Sequence, residues 1–293
     1  MRALSPDPAT QLAGPLTDPA TRRLFISEFG LDRPLMVESF SRAARMLIGD
    51  WGVSWRTRTP VIEIVTSATS LSIGLALSAT AISLLIALGV TVGWRSVTRE
   101  IRGMTAFGKL STLWLLFAAI PAFVTALWLT HSGLPEFLGL PRYGFRSAGV
   151  PLWRTLILPT ICVALPGLGF AIPRLRTARA YIVQSAWYRG ALAVGYSPQR
   201  ALLQQGWPFL ITAMGDVFAQ VLIMSVTGVV AVEYVFSLPG LGTVLVDAVQ
   251  LGDVPVLLGV VAISTFITYA ALAVRAVCSL PLPLRLRTSQ GIV

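Results

Sequence analysis

Charge is what this sequence has least of. Only 12% of its 293 residues are Asp, Glu, Lys or Arg, about half the share a water-soluble domain carries. With 55% hydrophobic residues and a mean hydropathy of +0.74, there is too little polar surface for a soluble fold, so lipid must solvate much of the chain. Lysine is nearly absent: arginine makes up 22 of the 23 basic residues, giving a net charge of +10. Those arginines sit in short stretches between apolar runs rather than in a basic stripe interleaved with aromatics, which argues against a nucleic-acid partner. The two cysteines, Cys162 and Cys278, lie in apolar stretches without a CxxC pattern and read as small buried hydrophobes. The one histidine, His131, ends an apolar run with no neighbouring donors for a metal. No G-x-x-x-x-G-K-[ST] phosphate loop occurs, and no set of carboxylate, histidine and nucleophile is arranged for hydrolysis. The sequence therefore assigns no catalytic residue, no metal ligand and no cofactor. It also lacks the ten-residue alternation of a membrane barrel and, in residues 1–20, the apolar core of a signal peptide.

Long apolar segments are present instead, and a span needs roughly 20 residues at 1.5 Å each. They run over about 68–94, 110–131, 155–173, 209–235 and 254–278. The expected fold is an all-α, polytopic membrane bundle with five transmembrane helices. The third segment is short and holds Pro159, Pro166 and Pro173, which a bundle tolerates where neighbours satisfy the freed carbonyls. This divides the chain into an N-terminal region (1–66), a membrane domain (67–278) and a tail (279–293).

Arginine then orients the segments. Loop 95–109 carries Arg95, Arg99, Arg102 and Lys109; loop 174–208 carries Arg174, Arg176, Arg179, Arg189 and Arg200; the tail region adds Arg275, Arg285 and Arg287. Loop 236–253 has no basic residue. The positive-inside rule places both arginine-bearing loops and the C-terminus in the cytoplasm, and residues 236–253 outside. With five spans, the N-terminal region falls outside as well.

Loop 174–208 is the longest of these connections, at 35 residues. Residues 177–194 favour helix, and Gly195 can take the left-handed conformation that ends one. Ser197 offers an N-cap oxygen, and Pro198 suits the first position of a second helix through Arg200, Leu202 and Gln205. Small residues cluster before the break (Gly190, Ala191, Ala193 and Gly195), where another backbone could come close. On pattern alone, an amphipathic connector on the membrane surface fits equally well.

The run Tyr188-Arg189-Gly190-Ala191-Leu192-Ala193-Val194-Gly195-Tyr196-Ser197, followed by Pro208, resembles the cytoplasmic loop of binding-protein-dependent ABC importer permeases, written A-x-A-x-G-x-S in their dipeptide, oligopeptide and nickel group. Glu233-Tyr234-Val235-Phe236-Ser237-Leu238-Pro239-Gly240-Leu241-Gly242 looks like that group's E-x-V-F-x-x-P-G-L-G. Asp247 and Asp253-Val254-Pro255-Val256 follow, the latter resembling D-Y-P-V. Gly30-Leu31-Asp32-Arg33-Pro34-Leu35 and Gly49-Asp50-Trp51-Gly52-Val53-Ser54 resemble G-L-D-x-P and G-D-x-G-x-S of the B-type peptide and nickel permeases. Four spaced motifs in matching order, over about residues 4–278, place the resemblance across nearly the whole chain.

What the resemblance implies is a permease subunit of an ATP-driven importer in a bacterial cell membrane, which hydrolyses nothing itself. Its implied partners are a second homologous permease, two ATP-hydrolysing subunits, an extracytoplasmic substrate-binding protein and the lipid bilayer. Tyr188, Arg189, Gly190, Ala191, Ala193, Gly195 and Ser197 would form the coupling loop that docks on an ATPase subunit. Glu233, Phe236, Pro239, Gly240 and Gly242 would form a motif on the outer side. The N-terminal motifs favour peptide cargo but are shared with nickel permeases. An ATP-independent secondary transporter is the alternative class, and it would need internal repeats or a charged midplane site that the sequence does not display.

Three departures stand out. Ser185 and Ala186 occupy the place of the acid that opens the loop motif in many members, and Val194 stands where a basic residue is common. Ser5-Pro6-Asp7-Pro8 resembles a G-D-P stretch that follows a first transmembrane helix in the family, so that helix is expected to be missing from these residues. Two acids, two glycines and a serine keep plain alternatives. Glu233 fits either snorkelling to the interface or a packing or gating role. Asp216, early in its segment, fits headgroup level or the transport path and is a path or interface residue. Gly215, Gly228 and Ser225 are expected to let helices pack closely.

Overall fold

The computed structural model describes residues 41, 44–46, 48–93, 114–144 and 151–279. The motif at Gly30–Leu35, the stretch at Ser5–Pro8, loop 95–109 and the tail from residue 280 lie outside them. The described residues are almost wholly helical; their one strand-like feature is an isolated antiparallel bridge between Val53 and Pro60. The helices are α1 (Val61–Gly93), α2 (Ala122–His131), α3 (Leu134–Phe137), α4 (Leu152–Gln184), α5 (Ala186–Ala193), α6 (Pro198–Gln205), α7 (Trp207–Phe236), α8 (Leu241–Leu251) and α9 (Val254–Ser279). Four of them, α1, α4, α7 and α9, are long and apolar enough to cross a membrane. At 1.5 Å per residue the shortest is about 39 Å long, so each exceeds a hydrocarbon core of about 30 Å.

The expected second span is different. A helical stretch over 114–119 stops at Ile120, and α2 begins after Pro121. Pro121 lacks an N–H and forces its predecessor out of the helical region. Its own backbone is extended (φ −60°, ψ 141°), and its carbonyl accepts from Val124 N at 3.0 Å, starting a new helix. Ten residues rise only about 15 Å, too short to cross alone.

Pro159, Pro166 and Pro173 do not break α4, which extends the short third segment to 33 residues. It is the most enclosed of the four long helices, 61% buried over its most apolar window against 28–39% for the others. That enclosure lets neighbours serve the carbonyls that proline leaves without a helical donor. The expected helix over 177–194 is also corrected. Residues 174–184 continue α4, so Arg174, Arg176 and Arg179 belong to the long helix and not to a loop. The break comes at Ser185, whose extended backbone (φ −68°, ψ 148°) lets its Oγ accept from Tyr188 N and cap α5.

The chain forms two compact groups: residues up to Ser72 with Pro239–Thr265, and Ile73–Leu238 with the residues from Phe266 on. In the first, Val61, Val65 and Ala68 lie along one face of α1 and pack with Leu241 and Ala248 of α8 and Val256 and Val260 of α9. Trp51 and Leu245 cover this core. Ser72 Oγ accepts from Leu241 N at 2.8 Å, serving one of the free N–H groups that open α8.

In the second group α4 packs on α7, with α2 against both. Gly167 and Gly169 make this contact tight. A Cβ at Gly167 would lie 2.8 Å from both Ser83 Oγ and Val221 Cγ1. One at Gly169 would strike the backbone of the 114–119 helix, 2.6 Å from Trp114 O and closer still to Ala118 N. Side-chain-free contacts of this kind let membrane helices approach closely. Gly169→Ala must therefore displace a backbone, which overpacking data put at about 1–3 kcal/mol or more. Gly74, where an added Cβ meets nothing within 4 Å, is the control. Thermal unfolding of purified protein should show a clear fall in Tm for Gly169→Ala and none for Gly74→Ala.

Candidate functional site

The α5–α6 segment is built as a rigid projection from the end of α4. Tyr188 is 1% exposed and sits in a cluster with Ile182 and Val183 of α4, Ala191, Ala201, Leu202 and Leu210. Its hydroxyl donates to Pro198 O at 3.3 Å, tying α5 to the start of α6. Burial pushes the phenol above its ordinary pKa, and the charge of Arg179 acts in the opposite sense. Trp187 stacks on Phe209 with centroids 5.6 Å apart, fixing α5 to the first turn of α7.

The turn between the two helices is equally defined. Gly195 has φ +97°; its N–H donates to Leu192 O at 3.0 Å and Tyr196 N donates to Ala191 O at 3.1 Å. This is the paired bonding that ends helices on a left-handed residue. Ser197 Oγ then accepts from Arg200 N at 3.3 Å, with Pro198 at the first position of α6. The Arg200 guanidinium lies over the Tyr196 ring at 5.4 Å, which adds to the order of the turn.

The seven expected docking residues thus separate by role. Tyr188 and Ala191 are buried and form the interior of the projection; Arg189, Gly190, Ala193, Gly195 and Ser197 are exposed. Val194 joins them at 80% exposure, a bare apolar side chain that the sequence marked only as a departure. No heavy atom lies within 4 Å of where a Cβ would stand at Gly190 or Gly195. The exposed surface at the end of α5 is therefore low and uncharged apart from Arg189.

Of the outer-side motif, Glu233 and Phe236 lie in the second compact group and Pro239, Gly240 and Gly242 in the first. Glu233 is fully buried, so it does not snorkel. Its carbonyl accepts from Leu238 N at 2.8 Å, and Ser237 takes a left-handed φ of 54° to end α7. Phe236 O accepts from Gly144 N at 3.1 Å. In the other group Gly240 N donates to Thr243 Oγ1 at 3.1 Å, and Gly242 is buried at the start of α8.

Two matched motifs prove to be one feature. Ser54, closing G-D-W-G-V-S, donates through Oγ to Asp253 Oδ2 at 2.5 Å, and Trp55 N donates to Oδ1 at 3.2 Å. Ser54 Oγ also accepts from Arg56 N and Thr57 N, so one hydroxyl organises the whole turn. Both side chains are buried, at 1% and 4% exposure. The turn needs Gly49 and Gly52 at φ +91° and +72°. Sequence alone gave no sign of this pairing across 199 residues.

Asp216 pairs with Arg275 of α9 at 2.6 Å, each side chain about half exposed. Beside the pair, a Cβ at Gly215 would collide with Cys278, and Thr212 Oγ1 donates to Cys278 O at 3.4 Å. Asp216 is thus a helix–helix contact between α7 and α9. An acid near one end of one span and the single arginine of another is the signal that could have joined them. Among the described residues no three His, Cys, Asp or Glu side chains gather as metal donors.

Residues 108–278 match the family model described as binding-protein-dependent transport system inner membrane component. The chain is 30% identical over 267 residues to a probable peptide ABC transporter permease protein of Sinorhizobium fredii, covering 88% of this chain and 82% of that one. It is 28% identical over 266 residues to a putative peptide transport system permease protein of Brucella abortus, with the same coverage. A glutathione transport system permease protein of Salmonella typhimurium is 28% identical over 258 residues, covering 86% of this chain and 79% of that protein. With four helices able to span a bilayer and a family match across more than half its length, the chain belongs to the inner membrane components of binding-protein-dependent transport systems.

Proposed function

We propose that this chain is one of two membrane subunits of an importer for short peptides, and that α5 and α6 are its contact with a separate ATP-hydrolysing subunit. The observation that carries the reading is the exposed end of α5 and the turn after it: Gly190, Ala193, Val194 and Gly195 are exposed, and the buried Tyr188 anchors the helix behind them. A flat, apolar, pre-ordered face costs little entropy to dock, unlike a floppy polar loop. Peptide cargo is the reading that the names of the Sinorhizobium and Brucella relatives support. Substrate would arrive from an extracytoplasmic binding protein and pass between this chain and a second permease. ATP closure inside and the loaded binding protein outside would bias the permease pair between two arrangements.

Two measurements test this. Co-expressed with the ATPase subunits from its own operon, the tagged chain should retain them through purification, and transport in vesicles should be inhibited by competing di- to pentapeptides. Loss of the ATPase subunits, or competition by nickel ion in place of peptide, overturns the respective half. For orientation, an impermeant thiol reagent should label Gly190→Cys only from the cytoplasmic side and Val249→Cys only from outside. Val249 is 60% exposed, so access is not in question. Labelling of both from one side would reverse the topology drawn from the arginines.

A further inference from the structure

Arg179 is a buried cation that neither charge topology nor docking explains. Counted in the sequence as a loop charge, it sits inside α4 and is only 4% exposed. Its guanidinium donates through Nη1 to Thr91 O, 88 residues away. Thr91 belongs to α1, near the end of its described residues. A charged donor on a backbone carbonyl makes a stronger bond than a neutral one.

The same arginine adjoins the docking projection. Ile182 and Val183, one turn further along α4, pack directly with Tyr188, Ala191, Ala201 and Leu202. The Arg179 charge is also near enough to act on the Tyr188 phenol. One side chain therefore stands between the core of α5–α6 and another long helix.

We propose that Arg179 is a positioning residue of the transport cycle: it ties α1, at Thr91, to the docking projection, so that displacement of α5 and α6 carries α1 with it. This rests on the reading of α5–α6 as the ATPase contact. Tyr188 and the cluster around it make the projection rigid, and Ile182 and Val183 join it to α4. Arg179 extends the connection sideways to a helix that the α5–α6 cluster does not include. Hydrophobic contact alone would let the two slide; a directional, charged N–H donor on a backbone carbonyl fixes their register.

The test uses the complete transporter with its ATPase subunits and binding protein in proteoliposomes. Arg179→Met should keep the ATPase subunits and hydrolyse ATP, yet move at least about tenfold fewer substrate molecules per ATP, a typical size for coupling between sites. Arg179→Lys should recover part of that ratio. An unchanged ratio in an assembled Arg179→Met transporter overturns the proposal. A merely structural residue would lower yield and leave the ratio alone. If Arg179→Met does not assemble, spin labels at Gly89→Cys and Ala186→Cys, both exposed sites, carry the test in a chain that keeps Arg179. Their separation should stay constant between nucleotide-free and ATP-trapped states; a change beyond about 5 Å, one helical turn, overturns the proposal. A chain that captures no ATPase subunit at all brings down the docking reading and this inference together.

Discussion

Replacement of Gly195 by valine is expected to abolish coupled transport while leaving the membrane bundle folded. The cause is local. Gly195 holds φ +97° with open space around it, so valine meets no steric wall from the rest of the chain. What it meets is its own backbone: a β-branched residue at positive φ costs about 1–3 kcal/mol. The cheapest escape is to abandon the turn, losing the bonds from Gly195 N to Leu192 O and from Tyr196 N to Ala191 O. The Ser197 cap and Pro198, which depend on the direction of that turn, would then re-aim α6. Uptake and substrate-stimulated ATP hydrolysis should both fall at least tenfold, in the range of coupling between sites of about 1–3 kcal/mol. Expression and Tm should stay near those of the parent. Gly190→Val is the informative comparison, since Gly190 lies within α5 and adds bulk to the same face without left-handed strain. Normal uptake in both variants would show that this face docks nothing.

Asp253→Ala should produce the largest loss of stability among single substitutions in the group formed by α8 and the first turns of α9. It removes the acceptor for Ser54 Oγ and Trp55 N, both enclosed. A buried donor left unsatisfied costs about 1–3 kcal/mol, more where the lost partner is charged. Ser54→Ala removes one bond to the carboxylate and also the acceptor for Arg56 N and Thr57 N. Because the two residues share one network, the double variant should be less destabilised than the sum of the singles, by about 0.5–3 kcal/mol. Tm and protease cleavage between residues 50 and 60 report this directly. Strict additivity would mean that the two side chains act separately.

The parts of the molecule legible in the sequence are those set by nearest neighbours along the chain. Apolar length marked the four long helices. Gly195, Ser197 and Pro198 marked the turn between α5 and α6, because a left-handed end, an N-cap oxygen and a fixed φ each act within one turn of helix. Ser185 failed as a signal because serine serves both as a helix residue and as a cap, and only the extended backbone here decides. Proline was read rightly within α4, where a bundle was expected to tolerate it, and missed at position 121. Pro121 breaks a helix, whereas Pro159, Pro166 and Pro173 do not, and the difference lies in the neighbours that surround α4. Arg179, Asp253 and Asp216 each acquire meaning from a partner 59 to 199 residues away. No spacing rule reaches that far.

The prolines of α4 have a mechanical consequence. They recur every seven residues, at 159, 166 and 173, which is almost two full turns, so they fall along one side of the helix. Each removes the N–H that would have bonded to the carbonyl four residues earlier, at Thr155, Cys162 and Gly169. The hydrogen-bond ladder of α4 thus has three missing rungs in a column. A helix of this kind is an anisotropic spring: it flexes about that column more easily than about any other direction. Force applied at Gln184 reaches the far end of a rod about 50 Å long as a bend in a plane fixed by where the prolines stand.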